Sequence, residues 1–459
     1  MTATPVGSRR SALPSRLPLA SRLDTARVMG SVVAPILARG VIIRRPGMLE
    51  VAQRLDADRR AVGLLQRLHD RYGPGPLRLR IPGRAMVVLL APQHVQRVLA
   101  QSPVPFSPAT KEKRAALAHF QPHGVLISSG RARTERRRFN ERALDTPHAV
   151  HRGADPVAKV HEEVCDLLVR VGPDALTWDA FTVTWWRAVR RVVLGDGARD
   201  DERLSDDLTR LRAAANWAFL HPRRRRLRRR FERRLVRHLE RAEPGSLAGV
   251  MAGTPTTGRT RPEQQVPQWL FAFDAGSWAT FRALALLATH PEELARARAE
   301  IAGRDLSRPQ DLPFLRACVQ ESLRLWPTTP AVLRETTEPT RWEGGPMPSG
   351  TSVLTYAPFF HRNDALPYAD RFTPDLWLEP RSTQDWPLIP FSAGPAECPG
   401  RNLVLHVAST VLAVLLADRD VTLDDPARVR GRAGDGERLP GTLSPFGLMF
   451  RLPRLSPGA

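Results

Sequence analysis

The sequence predicts a mainly α domain with a small, discontinuous β portion, and three observations carry that expectation. From about Pro92 to Leu312 nearly every apolar pattern has helical spacing. Strand-like runs are short and scattered, at 77–81, 86–90, 353–356 and 446–451. No linker is long or polar enough to mark a boundary, so residues 46–459 read as one catalytic unit behind a basic, partly flexible segment at 1–45.

Taken in order, residues 1–24 combine Pro5, Pro14 and Pro18 with Arg9, Arg10, Arg16 and Arg22, which suits a flexible basic tail. Val28–Ile43 is apolar but broken by Pro35 and Arg39, too short and too interrupted to span a bilayer. No transmembrane segment and no signal peptide is expected. Met48–Tyr72 has helical periodicity through Val51, Leu55, Val62, Leu65 and Leu68, and Gly73-Pro74-Gly75-Pro76 ends it. Leu77–Ile81 and Met86–Leu90 flank a Pro82-Gly83 turn and read as a hairpin. Gly130–Ala143 is an arginine-rich helix. Pro222–Ala242 is amphipathic, with Leu227, Phe231, Leu235 and Leu239 on a narrow apolar stripe. Trp269–Leu287 is the most apolar long helix, opened by Pro267 and closed by His290-Pro291. Asp274 and Gly276 fall in its middle, where glycine predicts a kink or a close approach. Pro313–Leu325 and Arg401–Asp418 complete the helices.

The chain has 459 residues, 42% of them hydrophobic, which is enough for a large core. Cys165, Cys318 and Cys398 are odd in number and far apart, which excludes a disulfide framework and zinc-type spacing and fits a cytoplasmic protein. The formal charge of +22 comes almost entirely from arginine; Lys111, Lys113 and Lys159 are the only lysines. Such a charge favours acidic partners or anionic surfaces. No nucleic-acid recognition motif accompanies the 222–242 run, so it reads as a packed helix with a basic outer face.

The segment Phe391-Ser392-Ala393-Gly394-Pro395-Ala396-Glu397-Cys398-Pro399-Gly400 forms a glycine-turned loop presenting one sulfur at a helix N-terminus. That position favours a thiolate. A single thiolate on iron is one way heme proteins bias oxygen–oxygen cleavage. The loop alone is equally compatible with a buried free cysteine beside a Gly-Pro turn. Glu321 and Arg324 stand three apart and share a helix face. Arg133 and Arg137 stand four apart and present two guanidiniums to any carboxylate pair, heme propionates included.

In this order, over roughly residues 48–452, these segments resemble the cytochrome P-450 superfamily of heme-thiolate monooxygenases, bacterial soluble type, with an atypical distal helix. Phe391, Gly394, Cys398 and Gly400 match its cysteine loop, and Glu321 and Arg324 its Glu-x-x-Arg helix. Arg133, Arg137 and Arg334 match its propionate-binding arginines. Tyr368–Asp375 resembles its meander. The resemblance implies the triangular-prism fold and heme b (iron protoporphyrin IX) with Cys398 as the iron's axial ligand. It also implies a small organic substrate, of secondary-metabolite type or similar, and a separate ferredoxin or flavodoxin-type electron donor, with no nucleic-acid partner.

Three departures stand out. Ala396 replaces an expected Arg or His two residues before the ligand. Leu376 stands where the meander usually supplies an arginine to the Glu-Arg pair. In the distal helix, counting back from Pro291 puts Ala272 at the usual small position, Asp274 at the acid and Ala275 where a threonine is usual. Asp274, and Ser277 behind it, are therefore the expected proton-relay residues. The lost alcohol keeps two alternatives open: a peroxide-driven or radical-coupling oxidase on the same scaffold, and a non-catalytic heme or anionic-surface binding protein.

Overall fold

The computed structural model describes residues 16–173, 175–379, 387–430 and 438–455. The part of the basic tail at 1–15 lies outside them. Val266–Thr289 is the central helix, 24 residues long. It is apolar on nearly every face, as a helix surrounded by protein must be. Pro262–Thr289 is long and apolar enough to cross a membrane, yet most of it is buried inside the molecule. Around it pack Trp178–Leu194, Pro313–Leu325 and Arg401–Ala417, with Pro156–Val171 behind them, to form the larger of two hydrophobic cores.

The expected kink at Gly276 does not occur, because the helix runs unbroken from Val266 to Thr289. Close approach explains the glycine instead. A Cβ there would stand 3.0 Å from Trp185 Cζ2 and 3.1 Å from Val404 Cγ1. Trp185 also donates its indole N–H to the Phe273 carbonyl at 2.9 Å, fixing the neighbouring helix to this one.

The smaller core lies under a five-stranded sheet ordered 77–78, 86–88, 352–356, 331–336 and 106–107. Leu77–Arg78 and Met86–Val88 pair antiparallel, the expected hairpin in shorter form. Ser352–Tyr356 joins Met86–Val88 in parallel and Ala331–Thr336 antiparallel. Met449–Arg451 belongs to a second sheet, against Ala175–Thr177 and Thr422–Leu423.

Two boundaries differ from expectation. Met48–Tyr72 is two helices, Pro46–Arg54 and Ala57–Tyr72, separated where Asp56 adopts φ +45°. Periodicity cannot register such a one-residue break, and Asp tolerates the left-handed region better than most residues. The described part of the 1–45 segment is also not a separate unit. Arg22–Val28, Met29–Val33 and Ala34–Arg39 run as successive helical turns, with Val28, Val32 and Ile36 four apart and buried in the smaller core. Asp24 accepts from the Tyr72 hydroxyl at 2.7 Å and anchors the first turn.

Candidate active site

The Cys398 loop starts at a tight turn. Gly394 has φ +67°, and a Cβ on it would strike the Leu99 carbonyl oxygen, so only glycine fits. Gly394 therefore shapes the loop and is not itself part of the cavity lining. The Cys398 N–H donates to the Phe391 carbonyl at 2.9 Å, closing the loop beneath the sulfur. Gly400 then caps Arg401–Ala417.

Above the loop lies a cavity of about 300 Å³. Phe391, Cys398 and Gly400 line it from below, and Ala272, Ala275 and Gly276 line it from the central helix. The small side chains at 272, 275 and 276 keep the space opposite the sulfur open. Burial pushes the Cys398 thiol up, with the Gly400 N–H and the Arg137 charge pulling the other way. Desolvation thus outweighs the helix N-terminus that favoured a thiolate on sequence grounds. A metal ion at the sulfur reverses that balance, because a coordinating thiol is deprotonated outright.

Cations collect at one side of the cavity. Arg133, Arg137 and Arg334 all line it. Arg137 is paired with Glu141 at 2.6 Å and also donates to the Glu397 carbonyl. Arg334 is buried and bonded only to neutral oxygens: Ser102 Oγ at 3.0 Å, Ser392 Oγ at 3.2 Å and the Leu333 carbonyl at 3.1 Å. Arg133 reaches only the Val125 carbonyl, at 3.4 Å. Burial and the Arg133 charge push the Arg334 guanidinium down to about 10.

Lys113 is a fourth cation here, and sequence reasoning missed it. Its Nζ donates to the Leu333 carbonyl at 3.3 Å, and burial with Arg334 and Arg133 pushes it down to about 7. Its rarity among so many arginines was the only available signal. Among the described residues none of Arg133, Arg334 and Lys113 has a carboxylate partner. Buried charges of one sign are costly without counter-ions. A ligand carrying two carboxylates and a soft-ligand metal fits this donor set: propionates on the cations, iron on the sulfur. Lys113 supplies a cation to the cavity that lacks one at Ala396.

The distal residues differ from expectation. Asp274 does not line the cavity; its carboxylate is ion-paired with Arg212, a fully buried side chain of the Glu202–Ala215 helix. Arg212 also stacks over Phe271, 4.6 Å from the ring centre. Ser277 is wholly buried and donates to the Asp274 carbonyl at 2.7 Å, so it is a helix-internal group and not a relay into the cavity. Helical geometry explains both placements: at about 100° per residue, 274 and 277 lie on one face, turned roughly 100° and 160° away from Ala275. Phe271 and Trp269 contribute to the cavity's aromatic wall.

Glu321 and Arg324 form a buried pair at 2.6 Å, both wholly inaccessible. Without the meander arginine the network closes on other groups. Arg324 donates to the carbonyls of His361, Ala369, Tyr368 and Arg371, at 2.8–3.1 Å. Glu321 accepts from the Thr373 N–H and the Trp377 indole, each at 2.9 Å. Trp377, beside Leu376, holds Glu321 without a charge of its own.

The Cytochrome P-450 family model matches residues 264–429, which contain the central helix, the Glu-Arg pair and the cysteine loop. Over that stretch the chain is similar to the cytochrome P-450 superfamily. A structure titled retinoic acid bound cyanobacterial CYP120A1 superposes with a TM-score of 0.64 at 18% identity, over 85% of this chain and 94% of that one. A cytochrome P-450 titled CYP102L1 gives 0.65 at 19% identity, over 86% and 98%. At that identity the likeness shows the fold, and it extends over nearly the whole P-450 chain. Methyltetrahydroprotoberberine 14-monooxygenase of Papaver somniferum is 30% identical over 187 residues, 38% of this chain and 35% of that protein. Cyclooctat-9-en-7-ol 5-monooxygenase of Streptomyces melanosporofaciens is 35% identical over 176 residues, 35% of this chain and 38% of that protein. The aligned part of this chain thus spans about a third of the length of the curated relatives it matches. Heme b is the cofactor of that superfamily, and the sulfur and the unpaired cations here provide groups that fit it.

Proposed function

We propose that this protein is a P-450 monooxygenase inserting one oxygen atom from dioxygen into a small apolar organic molecule. The observation that carries the reading is the juxtaposition, across one cavity, of Cys398 below and Ala272, Ala275 and Gly276 above, with unpaired cations at the side. When bound, heme would supply the redox chemistry that activates dioxygen. Cys398 would ligate the iron, and Arg133, Arg137, Arg334 and Lys113 would orient the group by its propionates. Phe271, Val332 and Leu126 would hold an apolar substrate and exclude water.

Electrons would come from a ferredoxin or flavodoxin-type protein. Arg131, Arg138 and Arg142 are exposed on the helix that touches the cysteine loop through Arg137 and Glu397, so an acidic donor has a basic surface beside the sulfur. The basic Arg225–Arg241 helix packs on Glu202–Ala215 and is not part of that surface.

A second reading, peroxide-driven oxidation, is favoured by one specific observation. Ala275 brings no hydroxyl to the cavity, and Asp274 is tied to Arg212 outside it. Peroxide already carries the protons that dioxygen reduction must be given.

The first experiment is the carbon monoxide difference spectrum of the dithionite-reduced protein beside Cys398→Ser. A strongly red-shifted Soret band in the parent, lost in the variant, supports the thiolate reading. An unshifted carbonyl band in folded, heme-loaded parent overturns it. Turnover with reduced donor protein against turnover with peroxide then separates the two oxidants.

A further inference from the structure

Three arginines converge where the N-terminal helices meet the central helix and the C-terminal segment. Arg39, Arg44 and Arg282 line a cavity of about 30 Å³, closed by Trp278, Trp326, Leu443 and the lone carboxylate of Asp58. Arg39 takes both oxygens of Asp58, at 2.7 and 2.8 Å. Asp58 is further committed to the Tyr356 hydroxyl at 2.6 Å and the Thr442 hydroxyl at 2.8 Å.

That leaves two guanidiniums without an anion. Arg44 donates to the Gly40 and Thr328 carbonyls. Arg282 donates to the Trp326 carbonyl at 3.0 Å and to the Leu443 carbonyl. Its Nε is buried and has no acceptor among the described residues. Arg212 and Asp274 also act on Arg44, but as a pair they cancel. Three guanidiniums against one carboxylate leave about two unbalanced positive charges around a space for one small particle.

We propose that this cavity is a binding site for a small monovalent anion of the halide class, chloride in the cell, held by Arg282 and Arg44. Its size admits a monatomic ion and excludes sulfate or an organic carboxylate, since about 10–15 Å³ is what one water needs. Charge sets the preference for an ion over water. An unpaired guanidinium held away from bulk water is destabilised, and one anion relieves two of them at once. Burial pushes Arg282 down to about 9 and Arg44 to about 10, the direction expected of cations lacking a counter-ion. The bound ion would tie the N-terminal helices to the central helix, and the inference stands apart from any reading of the cysteine site.

The test is the melting temperature of the heme-loaded protein at fixed ionic strength, with chloride or bromide exchanged stepwise for gluconate, which is too large for the cavity. The expected result is a saturable rise in melting temperature with either halide, lost in Arg282→Met. Arg44→Gln is the second variant should Arg282→Met not fold, and it should weaken halide binding at least tenfold. Crystals grown in bromide should show an anomalous peak beside Arg282 Nε. Equal melting temperatures in halide and gluconate, with no anomalous peak in the cavity, would overturn the proposal in favour of a bound water.

Discussion

Arg212 holds Asp274 by an ion pair outside the cavity that Ala275 lines. The one acid of the distal helix segment is thus spent on joining two helices. Arg212 is almost wholly buried, so the pair closes a charge that would otherwise be stranded. Asp274→Asn should therefore act first on stability, with a loss of about 3–5 kcal/mol in denaturant unfolding. A change confined to turnover, with unfolding unaltered, would restore Asp274 as a relay residue.

Ala275→Thr should return a hydroxyl to the cavity wall. With a reduced donor protein, the fraction of electrons ending in product should rise above the parent's. Peroxide-supported turnover should change much less. No gain with the donor would mean that proton delivery is not what Ala275 limits.

Arg334→Met should move two measurements in opposite directions. Without heme, removing a buried and unpaired cation relieves its desolvation and its repulsion with Arg133, so the melting temperature should rise. With heme, a propionate partner is lost, and heme transfer to an acceptor protein should be faster. A melting temperature that falls in both forms would mark Arg334 as a purely structural arginine.

Trp377→Phe keeps the ring and deletes the indole N–H that Glu321 accepts. An unmet hydrogen bond on a buried charge costs about 1–3 kcal/mol. Glu321→Gln should cost more, because it leaves Arg324 buried among carbonyls alone. If Trp377→Phe unfolds at the parent's denaturant midpoint, the indole contact is incidental.

His361 should make the protein acid-labile. Its Nδ1–H donates to the Arg324 carbonyl at 3.1 Å and its Nε2 accepts from the Ile389 N–H at 3.0 Å, an arrangement only the neutral ring can make. Burial and the nearby Arg324 charge push it down to about 3. The folded state then binds fewer protons than the unfolded state between about pH 6.5 and 3. Stability should be full above that window and fall through it on acidification, by at most about 1.4 kcal/mol per pH unit from this group. Urea midpoints of parent and His361→Gln across that window give the check: the variant's slope should be shallower.

Read alone, the sequence determined the mainly α class, the helices at 313–325 and 401–417 and the loop around Cys398. Those features rest on local rules: proline at a first turn, apolar spacing, and glycines where the chain must turn sharply. That Arg133 and Arg137 share a cavity was legible for a similar reason, since a four-residue spacing fixes a shared face. Tertiary structure alone decided which charges far apart in sequence meet. Arg212 lies 62 residues from Asp274, and Lys113 lies far along the chain from Arg334. Trp377 reaches Glu321 from the single-turn 3-10 helix Pro374–Trp377, too short for a periodicity to read. Partners so distant in sequence are chosen by packing, and the electrostatic cost of a buried charge depends on what surrounds it in space.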